Sequence, residues 1–204
     1  MLDRIALLFA LLLSVALPAA ASGSATPPPP EPPAVDWSGL PDSARHRPMN
    51  KPDEPHQVEL RLVTDKTAAA PGETFRLGLW LEQDEGWHTY WRNPGDAGEP
   101  TKINWTLPEG WRAGDMVWPT PQKAKLGPLL DYAYKGEVLI PVPITASADA
   151  QSGTTLSLTA DVFYLVCEQI CIPEEAKLSL LLPVVAGAPE KVSFARRRRG
   201  PPGR

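Results

Sequence analysis

Apolar residues recur at every second position in five stretches of this 204-residue chain. The alternating positions are Val58, Leu60 and Leu62; Phe75, Leu77, Leu79 and Leu81; Val138, Ile140, Val142 and Ile144; Leu156, Leu158, Ala160 and Val162; and Leu178, Leu180 and Leu182. A period of two is that of a β-strand with one face on the core. The pattern therefore predicts five strands whose apolar faces pack together.

Proline content favours the same fold class. The chain has 25 prolines, and because each costs about 3 kcal/mol inside a helix, a helix bundle is excluded. Pro141 and Pro143 share one side of their strand, which predicts an edge position. Turn signals separate the runs at residues 71–72, 93–96, 108–110 and 152–153. Short strands with frequent turns predict an all-β, immunoglobulin-like β-sandwich.

The N-terminal residues predict export. Residues 1–21 combine a short charged start, an apolar run from Ile5 to Leu17 and small residues ending at Ala21. This is the pattern of a signal peptide, and we expect cleavage after Ala21. The alternative is an uncleaved membrane anchor. We expect a periplasmic protein, in a compartment where disulfides form.

Composition divides the remaining chain into three regions. Residues 22–55 contain a run of four prolines and predict a semi-rigid Pro-rich linker. Residues 56–185 hold the alternating pattern and predict the folded domain. Residues 186–204 include four consecutive arginines and predict a basic disordered tail.

Charge and composition exclude several function classes. The formal net charge of −4 gives no overall basic field for nucleic acid. Two cysteines and three histidines are too few for a Cys/His zinc module. The sequence also lacks a Gly-rich phosphate loop. We therefore expect no cofactor, no resident metal and no nucleic-acid partner.

The cysteines Cys167 and Cys171 are separated by three residues. If those residues form a hairpin loop, the cysteines face each other at about 4.5 Å between Cα atoms, close enough for a disulfide. A loop this short stabilises by only about 2 kcal/mol. A redox-active pair and an inert structural disulfide both remain open at this point. Pro173 is expected to stop the second strand from pairing immediately after the loop.

Acidic residues surround the pair in sequence. Glu168, Glu174 and Glu175 lie close to it, and no Lys, Arg or His lies within five residues of either cysteine. Negative charge raises the pKa of a thiol and disfavours its thiolate. The sequence therefore predicts a pair with a low reduction potential that donates electrons.

Six segments together resemble the N-terminal exported domain of the DsbD/ScsB type of protein-disulfide reductase. They are EGWHTYW at 85–91, RNPGD at 92–96, WTLPEGW at 105–111, WP at 118–119, YKGEVLIP at 134–141 and VCEQICIPEE at 166–175. The resemblance implies an immunoglobulin-like sandwich, and it implies that Cys167 and Cys171 relay electrons from a membrane domain to exported thioredoxin-like or disulfide-isomerase proteins. It also implies an aromatic cap loop between Trp118 and Tyr134.

The family continues into a membrane domain where this chain ends in its arginine-rich segment. The resemblance therefore implies a stand-alone relay, with the membrane donor supplied in trans, or a truncated reading frame.

Four residues near the cysteine pair are expected to limit access to it or to contact the partner: Tyr132, Tyr134, Tyr164 and Pro173.

Two other functions compete with thiol–disulfide exchange. Five tryptophans crowd one third of the domain: Trp87, Trp91, Trp105, Trp111 and Trp118. They could form a platform for sugar or protein binding, although core packing is the simpler interpretation. His88 and Met116 could join the cysteines in binding copper(I), since soft ligands favour that ion. The alternatives are thus a non-catalytic binding module and a copper-handling protein.

Overall fold

The structure is a computed structural model that describes residues 45–46 and 57–192. It contains eleven β-strands. They are β1 (Arg45–His46), β2 (Val58–Thr64), β3 (Thr74–Gln83), β4 (His88–Gly95), β5 (Lys102–Thr106), β6 (Arg112–Ala113), β7 (Gln122–Leu126), β8 (Leu129–Lys135), β9 (Glu137–Thr145), β10 (Thr155–Cys167) and β11 (Cys171–Pro183). Residues 1–21, most of the predicted linker and the tail beyond Val192 lie outside the described residues.

The strands form two antiparallel sheets packed face to face. The five-stranded sheet has the order β1-β2-β3-β9-β6. The six-stranded sheet has the order β11-β10-β4-β8-β7, and β5 pairs with β10 beside β4. No helix occurs among the described residues. The predicted immunoglobulin-like β-sandwich is confirmed.

The core lies between the inner faces of the sheets. All five predicted alternating runs are strands, and their apolar members are buried, apart from the half-buried Leu156. Leu60, Leu79 and Ile140 come from three neighbouring strands of one sheet, and Leu158 and Leu178 come from the other. The period-two pattern identified the core because each of these strands has one apolar face.

Three boundaries differ from the prediction. The predicted linker contributes β1, which pairs with β2. The turn expected at residues 93–96 lies largely within β4, where the pairing with β8 shifts register. The described chain also continues past Val185, and Val192 N–H donates to Asp65 C=O at 2.9 Å. Backbone pairing extends the domain where the side-chain pattern gives no signal.

The predicted edge position of Pro141 and Pro143 is wrong in a limited sense. Their strand, β9, is covered at its end by the two-residue β6. Beyond β6 an irregular segment donates from Gly114 N–H to Pro143 C=O and from Val117 N–H to Pro141 C=O. The prolines need no N–H partner on that side, so an irregular segment can replace a regular strand there.

Candidate functional site

The β10–β11 hairpin brings the two cysteines together. Cys167 ends β10, Cys171 begins β11, and the two are directly paired with their Cα atoms 4.2 Å apart. Glu168 N–H donates to Ile170 C=O at 3.1 Å and closes the turn. The cysteines form a disulfide. The predicted three-residue loop and facing cysteines are therefore present.

The expected role of Pro173 is wrong. Pairing starts at once after the turn, and Pro173 lies within β11 opposite Leu165. Because proline has no N–H, this pair fits a non-hydrogen-bonded position of the ladder. The cysteine pair, two residues away, has the same character, which agrees with its short Cα separation. β11 is also an edge strand, where proline is tolerated.

The two sulfur-bearing residues differ in exposure. Cys167 is 0% exposed, whereas Cys171 is exposed. Ile170, at the tip of the turn, is 66% exposed. A molecule approaching the tip of the hairpin therefore reaches Cys171 first.

A buried polar cluster lies beside the disulfide on the outer face of the six-stranded sheet. His88 on β4 pairs directly with Cys167 on β10. The Tyr90 hydroxyl lies 3.7 Å from Cys171 Sγ and 3.3 Å from His88 Nε2. Both Tyr90 and His88 are buried. The disulfide therefore contacts a tyrosine–histidine pair, which we call the Tyr90–His88 pair.

Burial and two neighbouring charges act on this pair. Burial, followed by the Lys135 ammonium, lowers the pKa of His88 below its ordinary value, and Asp131 opposes this. Burial, followed by the Asp131 carboxylate, raises the pKa of Tyr90. At neutral pH His88 is therefore a neutral imidazole and Tyr90 a protonated phenol.

The chain after β4 folds over Tyr90 and holds it in place. Asp131, which is buried on β8, accepts a hydrogen bond from Ala97 N–H at 2.9 Å. Asp96 accepts one from Leu130 N–H at 2.8 Å. Gly98 has φ +89° and lies so close to the Tyr90 ring that a Cβ there would come within 2.2 Å of it. Glycine at this position lets backbone pack directly on the ring.

The three predicted shielding tyrosines lie elsewhere. Strand alternation places Tyr132 and Tyr134 on the inner face of β8 and Tyr164 on the inner face of β10. Tyr132 packs against Trp91 with ring centroids 6.0 Å apart, and the Tyr134 hydroxyl donates to Pro119 C=O at 2.8 Å. The structure does not bring these rings to the disulfide. Of the four predicted residues, Pro173 lies on the outer face with Cys171.

The expected acidic surroundings are only partly present. Glu174 is buried on the inner face of β11, opposite Tyr164. Glu175 shares the outer face with Cys171, but four residues of strand separate them by about 13 Å. Glu168 lies in the turn with its carboxylate against Gly86. The fold also places His88 directly opposite Cys167, and Lys135 opposite His88 on the next strand.

The region expected to hold a cap loop, between Trp118 and Tyr134, forms the β7–β8 hairpin. Of the five tryptophans, Trp111 is in the core and the other four are half-buried against it. They do not form an exposed platform. Over residues 45–46 and 57–192, no group of three or more His, Cys, Asp or Glu side chains could hold a metal ion.

Sequence reasoning missed Tyr90 and Asp131, and considered His88 only as a copper ligand. A signal for two of them was present, since His88 and Tyr90 are two residues apart and so share a face of any strand. Nothing local linked that face to cysteines more than 75 residues later in the chain. Asp131 lies in a short strand with no clear alternation.

Comparisons with known proteins identify a family. A family model described as the N-terminal part of thiol:disulfide interchange protein DsbD matches residues 59–183. The solved structure of the N-terminal periplasmic domain of ScsB from Proteus mirabilis is 27% identical, with a TM-score of 0.51. That match covers 67% of this chain and 51% of the ScsB chain, so the present chain spans about half the length of that structure.

A second solved structure, the yeast GGA1 GAE domain-P21, matches at 11% identity and a TM-score of 0.33. That match covers 67% of this chain and 97% of the other, and it is too distant to carry an argument. A comparison with curated proteins found no match.

Across the described residues, no helix has the length and apolar character needed to cross a membrane. The family match spans more than half of the chain and includes both cysteines, and the chain therefore belongs to the DsbD N-terminal domain family, whose chemistry is thiol–disulfide exchange.

Proposed function

We propose that this domain passes reducing equivalents through the Cys167–Cys171 pair to exported thioredoxin-like proteins. The observation that supports this most strongly is the disulfide at the tip of a hairpin, with Cys167 buried and Cys171 exposed. A disulfide that only stabilised the fold would gain little from closing so short a loop. An exposed cysteine beside a buried one suits stepwise exchange, in which one cysteine meets the partner and the other resolves the mixed disulfide.

In the proposed reaction the reduced pair starts as two thiols. Cys171 loses its proton to solvent, and its thiolate attacks one sulfur of the partner's disulfide. That disulfide breaks, and the partner's other sulfur leaves as a thiolate and takes a proton from solvent. The product is a mixed disulfide between Cys171 and the partner.

The second step releases the partner. Cys167 loses its proton and attacks the Cys171 sulfur, so that the intermolecular bond breaks and the partner's remaining sulfur leaves as a thiolate. The partner has gained two electrons, and the Cys167–Cys171 disulfide has formed again. A dithiol donor, such as a membrane domain supplied in trans, reduces the pair for the next cycle.

The partner's contact surface would surround the tip of the hairpin. Ile170 exposes most of its side chain there, and Pro173 lies beside Cys171 on the exposed edge strand. An exposed apolar side chain next to the reacting sulfur offers a partner a small area to bury without blocking the attack. We also propose periplasmic localisation after cleavage of residues 1–21, which N-terminal sequencing of the exported protein would test.

The exchange proposal is tested with matched single-cysteine variants. The partner is a thioredoxin variant with a single active-site cysteine, activated as a mixed disulfide with thionitrobenzoate, because a second partner thiol would reverse the trapping reaction. Reduced Cys167→Ser keeps the attacking sulfur, displaces thionitrobenzoate and cannot resolve the product, and so should accumulate a covalent complex. Reduced Cys171→Ser keeps only the buried sulfur and should trap much less. The measurement is the complex band on a non-reducing gel after acid quenching.

Both variants should stay folded, because the disulfide is worth about 2 kcal/mol against a domain stability of about 5–15 kcal/mol. Circular dichroism checks this. If both are folded and neither forms a complex, the exchange function fails and a binding module becomes the better proposal. If Cys171→Ser traps more complex than Cys167→Ser, the order of attack is reversed.

A further inference from the structure

Three atoms lie in a row beneath the disulfide. His88 Nε2 is 3.3 Å from the Tyr90 hydroxyl oxygen, which is 3.7 Å from Cys171 Sγ. The distance to sulfur is longer than between lighter atoms because sulfur is larger. Tyr90 is only 1% exposed, and Gly98 packs on its ring. The hydroxyl is therefore held in place and has Cys171 and His88 as its neighbours.

Proton counting gives this row two arrangements. Tyr90 has one hydroxyl proton, and neutral His88 has one N–H, at either Nδ1 or Nε2. If His88 carries its proton on Nδ1, Nε2 accepts from Tyr90 and the hydroxyl proton points away from sulfur. If His88 carries it on Nε2, that N–H donates to the Tyr90 oxygen, and the hydroxyl is free to donate to Cys171.

A thiolate at Cys171 selects the second arrangement. It is the strongest acceptor in the row, and hydrogen bonds to a charged acceptor are about twice as strong as neutral ones. We propose that Tyr90 donates a hydrogen bond to the Cys171 thiolate of the reduced pair, and that His88 is the positioning residue that directs the Tyr90 hydroxyl toward it. This deepens the proposed function and rests on it.

Charged groups from each neighbouring element act on the same row. Lys135 on β8 lies directly opposite His88, and Asp131 on the same strand acts on both His88 and Tyr90. Glu168 from the turn lies against Gly86. The second cysteine, Cys167, pairs with His88. The Tyr90 hydroxyl, by contrast, is neutral and lies within hydrogen-bond distance of the Cys171 sulfur.

The proposal is tested on the reduced protein without any partner. In a Cys167→Ser background only Cys171 reacts, and its alkylation by iodoacetamide measures the thiolate fraction as pH is varied. Tyr90→Phe should raise the apparent pKa of Cys171 by about one unit and slow alkylation about tenfold at pH 7. Tyr164→Phe removes a hydroxyl from the opposite face of β10 and should leave the profile unchanged.

The positioning role of His88 has its own pair of variants. His88→Leu removes the N–H and should raise the apparent pKa of Cys171 in the alkylation profile, as Tyr90→Phe does, by a smaller amount. His88→Gln keeps an amide N–H close to the position of Nε2 and should restore most of the loss. A purely structural effect of His88 would not follow this order. If His88→Leu leaves the profile unchanged, the positioning role is wrong.

A measurement on the protein with Tyr90 and His88 intact guards against variants that fail to fold. Nitrogen NMR of His88 should show the Nε2–H tautomer above the titration point of Cys171. An Nδ1–H tautomer there, or an unshifted profile in folded Tyr90→Phe, overturns the proposal. Because no partner is involved, these outcomes are independent of the gel assay. Absence of a complex with thioredoxin, together with the expected profiles, would remove the exchange function and leave the local chemistry standing.

Discussion

The two faces of the six-stranded sheet bury side chains of opposite character. Its inner face contributes Leu158, Val162 and Leu178 to an apolar core shared with the other sheet. Its outer face, near the β10–β11 turn, buries Tyr90 and Asp131 under a covering segment. Apolar burial stabilises the fold, whereas buried polar groups need partners to offset their desolvation. The residues that stabilise the fold and the residues that contact the disulfide therefore lie on opposite faces of the same sheet.

The largest expected effect comes from the inner face. Leu158→Ala removes a fully buried side chain from the inner face of β10, and we expect the free energy of unfolding to fall by about 2–5 kcal/mol. Urea denaturation measures the loss. This and the following alkylation measurements use the reduced Cys167→Ser background, in which Cys171 is a free thiol. The alkylation rate of Cys171 in the folded protein should be unchanged at the same pH. A change in that rate under native conditions would contradict the separation of the two faces.

Gly98→Ala disturbs the outer face. The residue has φ +89°, and its added Cβ would meet the Tyr90 ring at 2.2 Å. A positive φ costs a non-glycine residue about 1–2 kcal/mol, and the ring must also move. We expect a moderate loss of stability together with slower alkylation of Cys171, measured on one sample by denaturation and by iodoacetamide.

Gly153→Ala is the matched control for this variant. Gly153 has φ +88° and open space around its Cβ position. It should lose similar backbone stability with no change at Cys171. Equal alkylation rates in the two variants would show that the segment over Tyr90 does not position the hydroxyl.

A smaller, pH-dependent effect is expected at His88. Burial and Lys135 lower its pKa in the folded state, while in the unfolded chain it titrates near about 6.5. Below that pH the unfolded chain binds a proton more readily than the folded state does. The contribution of His88 to stability is therefore fully present above the unfolded pKa and is lost as the pH is lowered below it. His88→Gln should therefore lose less stability than the parent between pH 7.5 and 5.5. Urea midpoints at both values test this, and equal losses would contradict it.

The inner face could be predicted from the sequence and the outer face could not. Alternation at Leu178, Leu180 and Leu182 is a local signal that marks the buried face of the strand, whichever strands become its neighbours. The contact of Tyr90 with Cys171 depends on which strands become neighbours, and no spacing along the chain encodes that. The hairpin at Cys167 and Cys171 was predictable because the loop itself fixes the geometry.

The predicted acidic surroundings of the cysteines are only partly present for the same reason. Counting residues along the chain placed three glutamates near the cysteines, but alternation turns Glu174 to the inner face and strand length carries Glu175 away. His88 and Lys135 lie on other strands, and counting along the chain from the cysteines does not reach them. Charge around a site in a β-sandwich is set by neighbouring strands more than by neighbouring sequence positions.

The smallest effect is expected from Tyr164→Phe, and it separates the two faces most directly. The Tyr164 hydroxyl is buried on the inner face and has no hydrogen-bond partner among the described residues. A buried hydroxyl without a partner carries a desolvation cost, so its removal should leave stability unchanged or raise it slightly. Tyr90→Phe makes the same chemical change on the neighbouring strand β4 and on the opposite face, where the hydroxyl contacts Cys171 and His88. The two variants should therefore differ in both the denaturation midpoint and the alkylation rate of Cys171, and the slower alkylation is expected in Tyr90→Phe. A loss of stability in Tyr164→Phe would show that its hydroxyl has a hydrogen-bond partner.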